Sequence, residues 1–167
     1  MKLLSKEKLI LNQESIYYIL LLSVGILVPL FLKGPQLLVG ILVNFVLAFG
    51  VLRYDVKRVL PVAILPSVIT LSNNVLFGGA TSLLIFLIPI IILSNLVYIS
   101  LIKYQKINLF SVLISSGSKT LILFLFAFVL VNSFGLPRLF LSSMGYMQLI
   151  TSAIGGILAF FLNKKII

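Results

Sequence analysis

Residues 108–131 read NLFSVLISSGSKTLILFLFAFVLV, a continuous apolar stretch with a single charged residue, Lys119. As an α-helix, a run of this length crosses the roughly 30 Å hydrocarbon core of a membrane. Lys119 comes eleven residues after Asn108 and twelve before Val131, so it is predicted to lie near the membrane midplane. A lysine at that depth costs about 2.5–3.5 kcal/mol on insertion scales, which makes it a candidate functional residue.

The composition of the whole chain agrees with this reading. The 167 residues are 61% hydrophobic with a mean hydropathy of +1.28, which indicates an integral membrane protein in one compact domain, residues 1–167. Cysteine and histidine are absent, and the only carboxylates are Glu7, Glu14 and Asp55. We therefore expect no disulfide, metal or cofactor, and no enzyme, because acid–base and nucleophilic groups are lacking.

Six apolar spans predict an all-α membrane protein, a compact bundle of six transmembrane helices. Continuous rather than alternating apolar runs favour helices over a barrel. Residues 1–14 are expected to form a cytoplasmic N-terminal segment, either a short interfacial helix or a solvated tail. The predicted spans are about 15–32, 36–52, 60–77, 82–102, 108–131 and 143–162.

Proline and glycine residues lie between these spans and within some of them. Residues 78–81 predict a turn, and residues 132–142 the longest loop. Pro29, Pro66 and Pro89 fall inside spans, where they are expected either to kink a helix for packing or to widen a pocket.

The positive charges predict the orientation of the bundle. With six crossings, one side holds the N-terminus (three Lys), residues 53–58 (three Lys and Arg), residues 103–106 (two) and the C-terminus (two), ten in all. The other side holds Lys33 and Arg138, and Lys119 is the thirteenth. The positive-inside rule then places both termini in the cytoplasm. The charge of +10 is spread between spans rather than gathered in a basic domain, so no nucleic-acid partner is expected.

Few polar side chains lie deep in the spans. Asn44 is expected to hydrogen-bond a neighbouring helix, whereas Asn95 and Gln148 are open to either that role or a ligand. Lys119 has no carboxylate within the spans, so it either snorkels, loses its proton, or meets an anionic group of a ligand in a polar cavity. The last span pairs small residues four apart, Ser152 with Gly156 and Gly155 with Ala159, for internal packing or a partner subunit.

The layout resembles the substrate-binding S component of energy-coupling factor (ECF) vitamin transporters. The likeness covers nearly the whole chain. It is carried by six short spans in under 200 residues, the span 4 stretch 88–95 (IPIIILSN), Gly117-Ser118-Lys119, and a last span with small residues that closes in Asn163-Lys164-Lys165.

This resemblance implies a micronutrient pocket in the outer half of the bundle. The family builds that pocket mainly from spans 4 to 6 and the outer loops. The corresponding polar residues here are Lys119, Arg138, Tyr146 and Gln148, with Asn74 adjacent and Asn95 toward the cytoplasmic side. The resemblance also implies a separate coupling subunit and two ATPases as partners, since this chain has no Walker motif.

Two other classes of protein remain in view. A non-catalytic membrane scaffold, such as the cell-shape protein MreD, has similar length and span number and needs no ligand. A proton- or ion-coupled secondary transporter is disfavoured, because the spans contain no Asp or Glu to carry the coupling ion.

Overall fold

The computed structural model describes residues 2–32, 34–73, 78–105 and 108–166, with side chains within residues 13–32, 34–73, 79–105 and 108–165. These residues are almost entirely helical and contain no strand. The predicted all-α class is therefore confirmed for the described part of the chain. The helices, in chain order, are α1 (Lys2–Phe31), α2 (Gln36–Arg53), α3 (Val56–Asn73), a 3-10 helix (Gly78–Phe86), α4 (Ile88–Tyr104), α5 (Leu109–Phe134), α6 (Leu139–Met144) and α7 (Tyr146–Ile166).

Among the described residues, five stretches are long and apolar enough to cross a membrane: Gln13–Phe31, Gln36–Arg53, Val56–Asn73, Leu109–Phe134 and Leu139–Lys165. A sixth is reached when the 3-10 helix and α4, which meet at an angle of 66°, are counted as one broken span. The chain is thus a multi-pass helical membrane protein. Residues from Lys2 onward belong to α1, so the N-terminal segment continues the first span as one helix.

The predicted fourth span, residues 82–102, is wrong as one continuous helix. The 3-10 helix includes the stretch 78–81, which was predicted as a turn, and α4 starts only at Ile88. Pro89 lies in the first turn of α4 rather than inside a helix. A proline in the first turn removes no helical hydrogen bond, because its missing amide would have no acceptor within the helix, so α4 can begin here.

The predicted loop 132–142 is also largely helical. α5 continues to Phe134 and ends at Gly135, whose φ of 69° lies in the left-handed region that favours glycine. α6 follows and buries Phe140 and Met144 against the core. At its other end α5 has a capping box: Asn108 Oδ1 accepts from the Ser111 amide, and Ser111 Oγ accepts from the Asn108 amide.

Side-chain caps tie the helix ends together in two groups. At the first, here called the Tyr54 end, Tyr54 Oη donates to the Glu14 carbonyl at 2.8 Å, and Lys103 Nζ donates to the Val51 and Tyr54 carbonyls at 3.2 Å each. At the opposite end, here called the Gln36 end, Asn73 Nδ2 donates at 3.2 Å to the Pro29 carbonyl in the last turn of α1. Consecutive helices α1, α2 and α3 therefore alternate in direction.

Two apolar clusters fill the interior, one toward each end. The cluster at the Tyr54 end includes Leu47, Val51, Val59 and Tyr98, and the cluster at the Gln36 end includes Leu84, Leu87, Ile91, Leu123 and Phe140. On α4, Asn95 falls between Ile91 of one cluster and Tyr98 of the other. Asn95 and two other buried polar residues that line the same cavity, Asn44 and Lys119, therefore lie at mid-height of the bundle, and we call them the mid-height layer.

The outer surface is apolar. α5 buries Val112, Ser115, Lys119 and Leu123 on one face, and exposes large apolar side chains on the others. The exposed set on α5 comprises Leu109, Phe110, Leu113, Leu121, Phe124, Leu125, Phe126, Phe128, Val129 and Phe134. This arrangement suits contact with lipid, because hydrocarbon requires no polar group at the helix surface.

Candidate functional site

Lys119 is buried in the mid-height layer, with only 3% of its surface exposed. Its Nζ donates a hydrogen bond to Asn44 Oδ1 on α2 at 2.5 Å. Nζ also lies 5.3 Å from the centroid of the Tyr98 ring on α4, within range of a cation–π contact. The amine is thus held between three helices, and among the described residues its partner is an amide rather than a carboxylate.

Asn44 is oriented by a network that uses its whole amide. Its Nδ2 donates to the Gly40 carbonyl at 2.9 Å and to Thr151 Oγ1 at 3.2 Å. Since both contacts use the nitrogen, the oxygen is turned toward Lys119, where it can only accept. Thr151 Oγ1 in turn donates to the Gln148 carbonyl on α7 at 3.3 Å. α2, α5 and α7 therefore meet at this one amide.

The close approach of α2 and α7 depends on glycines. A Cβ at Gly40 would lie 2.8 Å from Thr151 Cγ2, and a Cβ at Gly155 would lie 2.6 Å from the Phe45 amide nitrogen. A Cβ at the adjacent Gly156 would lie 2.7 Å from the Tyr98 hydroxyl. The small residues of the last span thus serve packing within the chain, the first of the two roles considered from the sequence.

Tyr98 forms the second support of the amine. Its side chain is fully buried, and its hydroxyl donates to the Ser152 carbonyl at 2.8 Å. Ser152 Oγ donates to the Gln148 carbonyl at 2.6 Å. These contacts fix the tyrosine ring against α7 and so fix the face that it presents to Lys119.

A cavity of about 90 Å³ adjoins this network, and we call it the central cavity. A space of this size holds several water molecules. It extends from mid-height toward the Gln36 end, where Ser143 Oγ donates to Gln36 Oε1 at 3.2 Å. Buried Pro66 on α3 contributes to the wall, so this proline does border a pocket. The polar lining residues are Gln36, Asn44, Ser67, Thr70, Asn95, Lys119 and Gln148.

Two amide oxygens of this lining have no hydrogen-bond partner among the described residues. They are Asn95 Oδ1 and Gln148 Oε1, and both atoms are buried. Asn95 Nδ2 donates to the Ala63 carbonyl on α3 at 2.9 Å. The residues that line the cavity thus include an amine donor from α5 and, from α4 and α7, two acceptors without a partner among the described residues.

The structure brings together three of the six residues selected from the sequence. Lys119, Asn95 and Gln148 line the central cavity. Tyr146 is 56% exposed and borders a separate apolar depression with Phe124 and Leu149. Arg138 is exposed and is not among the residues that line the central cavity. Asn74 lies outside the described residues.

Sequence reasoning missed the partner of the lysine. Asn44 was assigned to helix packing, and the pocket was expected between spans 4, 5 and 6, whereas α2 and α3 supply much of the wall. One signal was present: Asn44 is the one strongly polar side chain between Gln36 and Arg53, and it follows Gly40 by one helical turn. Nothing in the sequence, however, indicates which helix faces that side of α2.

Comparison of the chain with protein-family models, with characterised proteins and with solved structures finds no match in any of the three.

Proposed function

We propose that this chain is a membrane-embedded substrate-binding subunit for the uptake of a small micronutrient that carries an anionic group. The observation that carries the proposal is the buried amine of Lys119, which borders a polar cavity and has no carboxylate partner among the described residues. A buried cation of this kind is costly in a membrane unless it meets an opposite charge or strong acceptors. An anionic group of a ligand supplies that charge.

The geometry supports a binding role in a second way. Asn44 and Tyr98 hold the amine from two sides, so the donor is fixed in place before a ligand arrives. Pre-positioned groups lower the ordering cost of binding. The cavity volume of about 90 Å³ accommodates an acidic group and a few further atoms, with any remainder directed toward the Gln36 end.

The proposal includes the orientation and the partners. The charge asymmetry favours a protein of the cytoplasmic membrane with six crossings, both termini inside and the Gln36 end outside. A ligand would then enter from the outside. As in the ECF S components that the chain resembles, transport would depend on a separate coupling subunit and ATPases.

Native mass spectrometry of the protein purified from its own membrane tests this function. We expect a small-molecule adduct on the wild-type protein that is lost in Lys119→Met, which keeps side-chain length but removes the charge. Lys164→Met, at an exposed position near the end of α7, is the matched control and should retain the adduct.

An adduct that persists in Lys119→Met contradicts the proposed role of the lysine. Copurification with cell-elongation proteins, with no small molecule bound, would favour the MreD-type scaffold instead. Copurification with ATPase subunits would exclude that scaffold and support the transport assignment.

A further inference from the structure

Asn95 has a buried side-chain amide of which only the nitrogen makes a hydrogen bond to the described residues. The residue is 3% exposed, and its Nδ2 donates to the Ala63 carbonyl at 2.9 Å. A carbonyl can only accept, so this contact assigns the nitrogen and leaves Oδ1 as the free atom. Oδ1 has no partner among the described residues. Because buried polar groups in native proteins are nearly always paired, we expect this acceptor to take a donor that is not among the described residues, such as a molecule bound in the cavity.

Asn44 provides an internal comparison in the same cavity. Its oxygen accepts from Lys119, and its nitrogen donates to Gly40 and Thr151. Both asparagines are almost completely buried, and both are fixed by a backbone carbonyl. They differ in that the oxygen of Asn44 accepts from Lys119, whereas the oxygen of Asn95, a residue that also lines the cavity, has no partner among the described residues.

The Lys119 amine and the Asn95 amide belong to different helices around the central cavity. Lys119 belongs to α5 and is held by α2, whereas Asn95 belongs to α4 and is held by α3. Both line a cavity of about 90 Å³, so one small molecule can contact both. Gln148 Oε1 on α7 adds a second unpartnered acceptor to the lining. The cavity therefore matches a molecule with negative charge at one point and a hydrogen-bond donor at another.

We infer that the ligand is a small acid that also carries a neutral N–H or O–H group, and that Asn95 Oδ1 recognises this second group. This inference rests on the proposed function. A neutral donor is required, because an ammonium group would bring a second positive charge close to Lys119. Simple aliphatic carboxylates and halides, which lack a donor, would leave the Asn95 oxygen buried and unpaired.

Two radiolabelled acids of nearly equal size test the inference. Glycolate has a hydroxyl group where propionate has a methyl group. We expect glycolate to bind the purified wild-type protein at least about tenfold more tightly than propionate, which corresponds to one buried hydrogen bond. In Asn95→Leu the ratio of the two dissociation constants should fall to about one. The exposed Asn132→Leu is the matched control and should keep the wild-type ratio.

The outcomes separate the inference from the proposed function. Equal binding of the two acids to the wild-type protein, with both lost in Lys119→Met, overturns the inference and leaves the proposed function in place. A tenfold ratio that persists in Asn95→Leu overturns the assignment to Asn95. If neither acid binds, the inference is overturned, and the proposed function is then judged by the Lys119-dependent adduct alone. Should Asn95→Leu fail to fold, a wild-type ratio near one is sufficient to overturn the inference.

Discussion

At the scale of single residues, Asn44 organises the polar layer as much as Lys119 does. One amide hydrogen-bonds a lysine on α5, a threonine on α7 and a carbonyl of its own helix. Asparagine suits this position because it offers an acceptor and two donors without adding charge. The lysine is thereby held by a neutral amide, with no salt bridge to any of the described residues.

Removal of the Asn44 amide should leave the Lys119 amine without its hydrogen-bond acceptor. We expect Asn44→Leu to lower the free energy of unfolding by about 2–4 kcal/mol, because Lys119 then loses the acceptor for its buried donor. The double variant Asn44→Leu with Lys119→Met should recover part of that loss, since it removes the donor as well. Thermal unfolding in detergent measures both changes.

A surface asparagine supplies the control. Asn132 is exposed, and its Nδ2 donates only to the Phe128 carbonyl of its own helix. Asn132→Leu should change stability by less than about 0.5 kcal/mol. If Asn44→Leu proves as stable as this control, the hydrogen bond to Lys119 does not hold the layer together.

At the scale of elements, α7 packs on two sides through adjacent glycines. Gly155 admits the backbone of α2, and Gly156 admits Val112 of α5 and the hydroxyl of Tyr98. Backbone atoms cannot move aside as a flexible side chain can. The contact between α2 and α7 is therefore the least adjustable of these packing contacts.

Two alanine substitutions compare a glycine that has neighbouring atoms where a Cβ would lie with a glycine that has none. In Gly155→Ala the new Cβ would lie 2.6 Å from a backbone nitrogen, so we expect a loss of about 1–3 kcal/mol in stability. In Gly117→Ala, on α5, the new Cβ has no neighbour within 4 Å, so stability should stay level or rise by up to about 1 kcal/mol. Equal effects in thermal unfolding would argue against the close approach of α2 and α7.

A comparison of the helices with the sequence shows which features of the fold could be predicted from hydropathy and charge. The helical class and the ends of α2 follow from hydropathy and charge alone, whereas the burial of Lys119 inside the bundle was only one of the alternatives that the sequence left open. Pro89 marks the start of α4, but its local preference does not give the angle between the 3-10 helix and α4. The position of Tyr146 outside the central cavity was not predictable for a related reason: α7 begins at this residue after Gly145, so its direction depends on packing between helices.

The pairing of Lys119 with Asn44 could not be predicted from the sequence, for a different reason. The two residues are 75 positions apart, and they meet because α2 and α5 both pack against α4 and α7, so that the long Lys119 side chain can reach Asn44 across the space between them. Periodicity identifies the buried face of each helix, but it does not identify the neighbour of that face. The polar residues could therefore be found from the sequence, whereas their partners required the fold.

At the scale of the whole molecule, the distribution of positive charge predicts the orientation. The chain has no natural cysteine, so single cysteines can be introduced on a clean background. Gln105→Cys lies at the Tyr54 end after α4, and Ser133→Cys lies at the opposite end of α5, with both positions exposed. A membrane-impermeant maleimide should label Ser133→Cys in intact cells and Gln105→Cys only after permeabilisation. Labelling of both positions from the same side would contradict the six-span topology.

The hydrogen bond between Asn44 and Lys119 also has a consequence for biogenesis. Translation proceeds from the N-terminus, so α2 is already in the membrane when α5 leaves the ribosome. The acceptor thus precedes by 75 residues the lysine that needs it, and Thr151 arrives 107 residues after Asn44 to close the network. The order of synthesis therefore means that Asn44 is already in the membrane when Lys119, the most costly side chain of the chain to insert, enters it. A chain without Asn44 would have to insert α5 with its lysine unpaired.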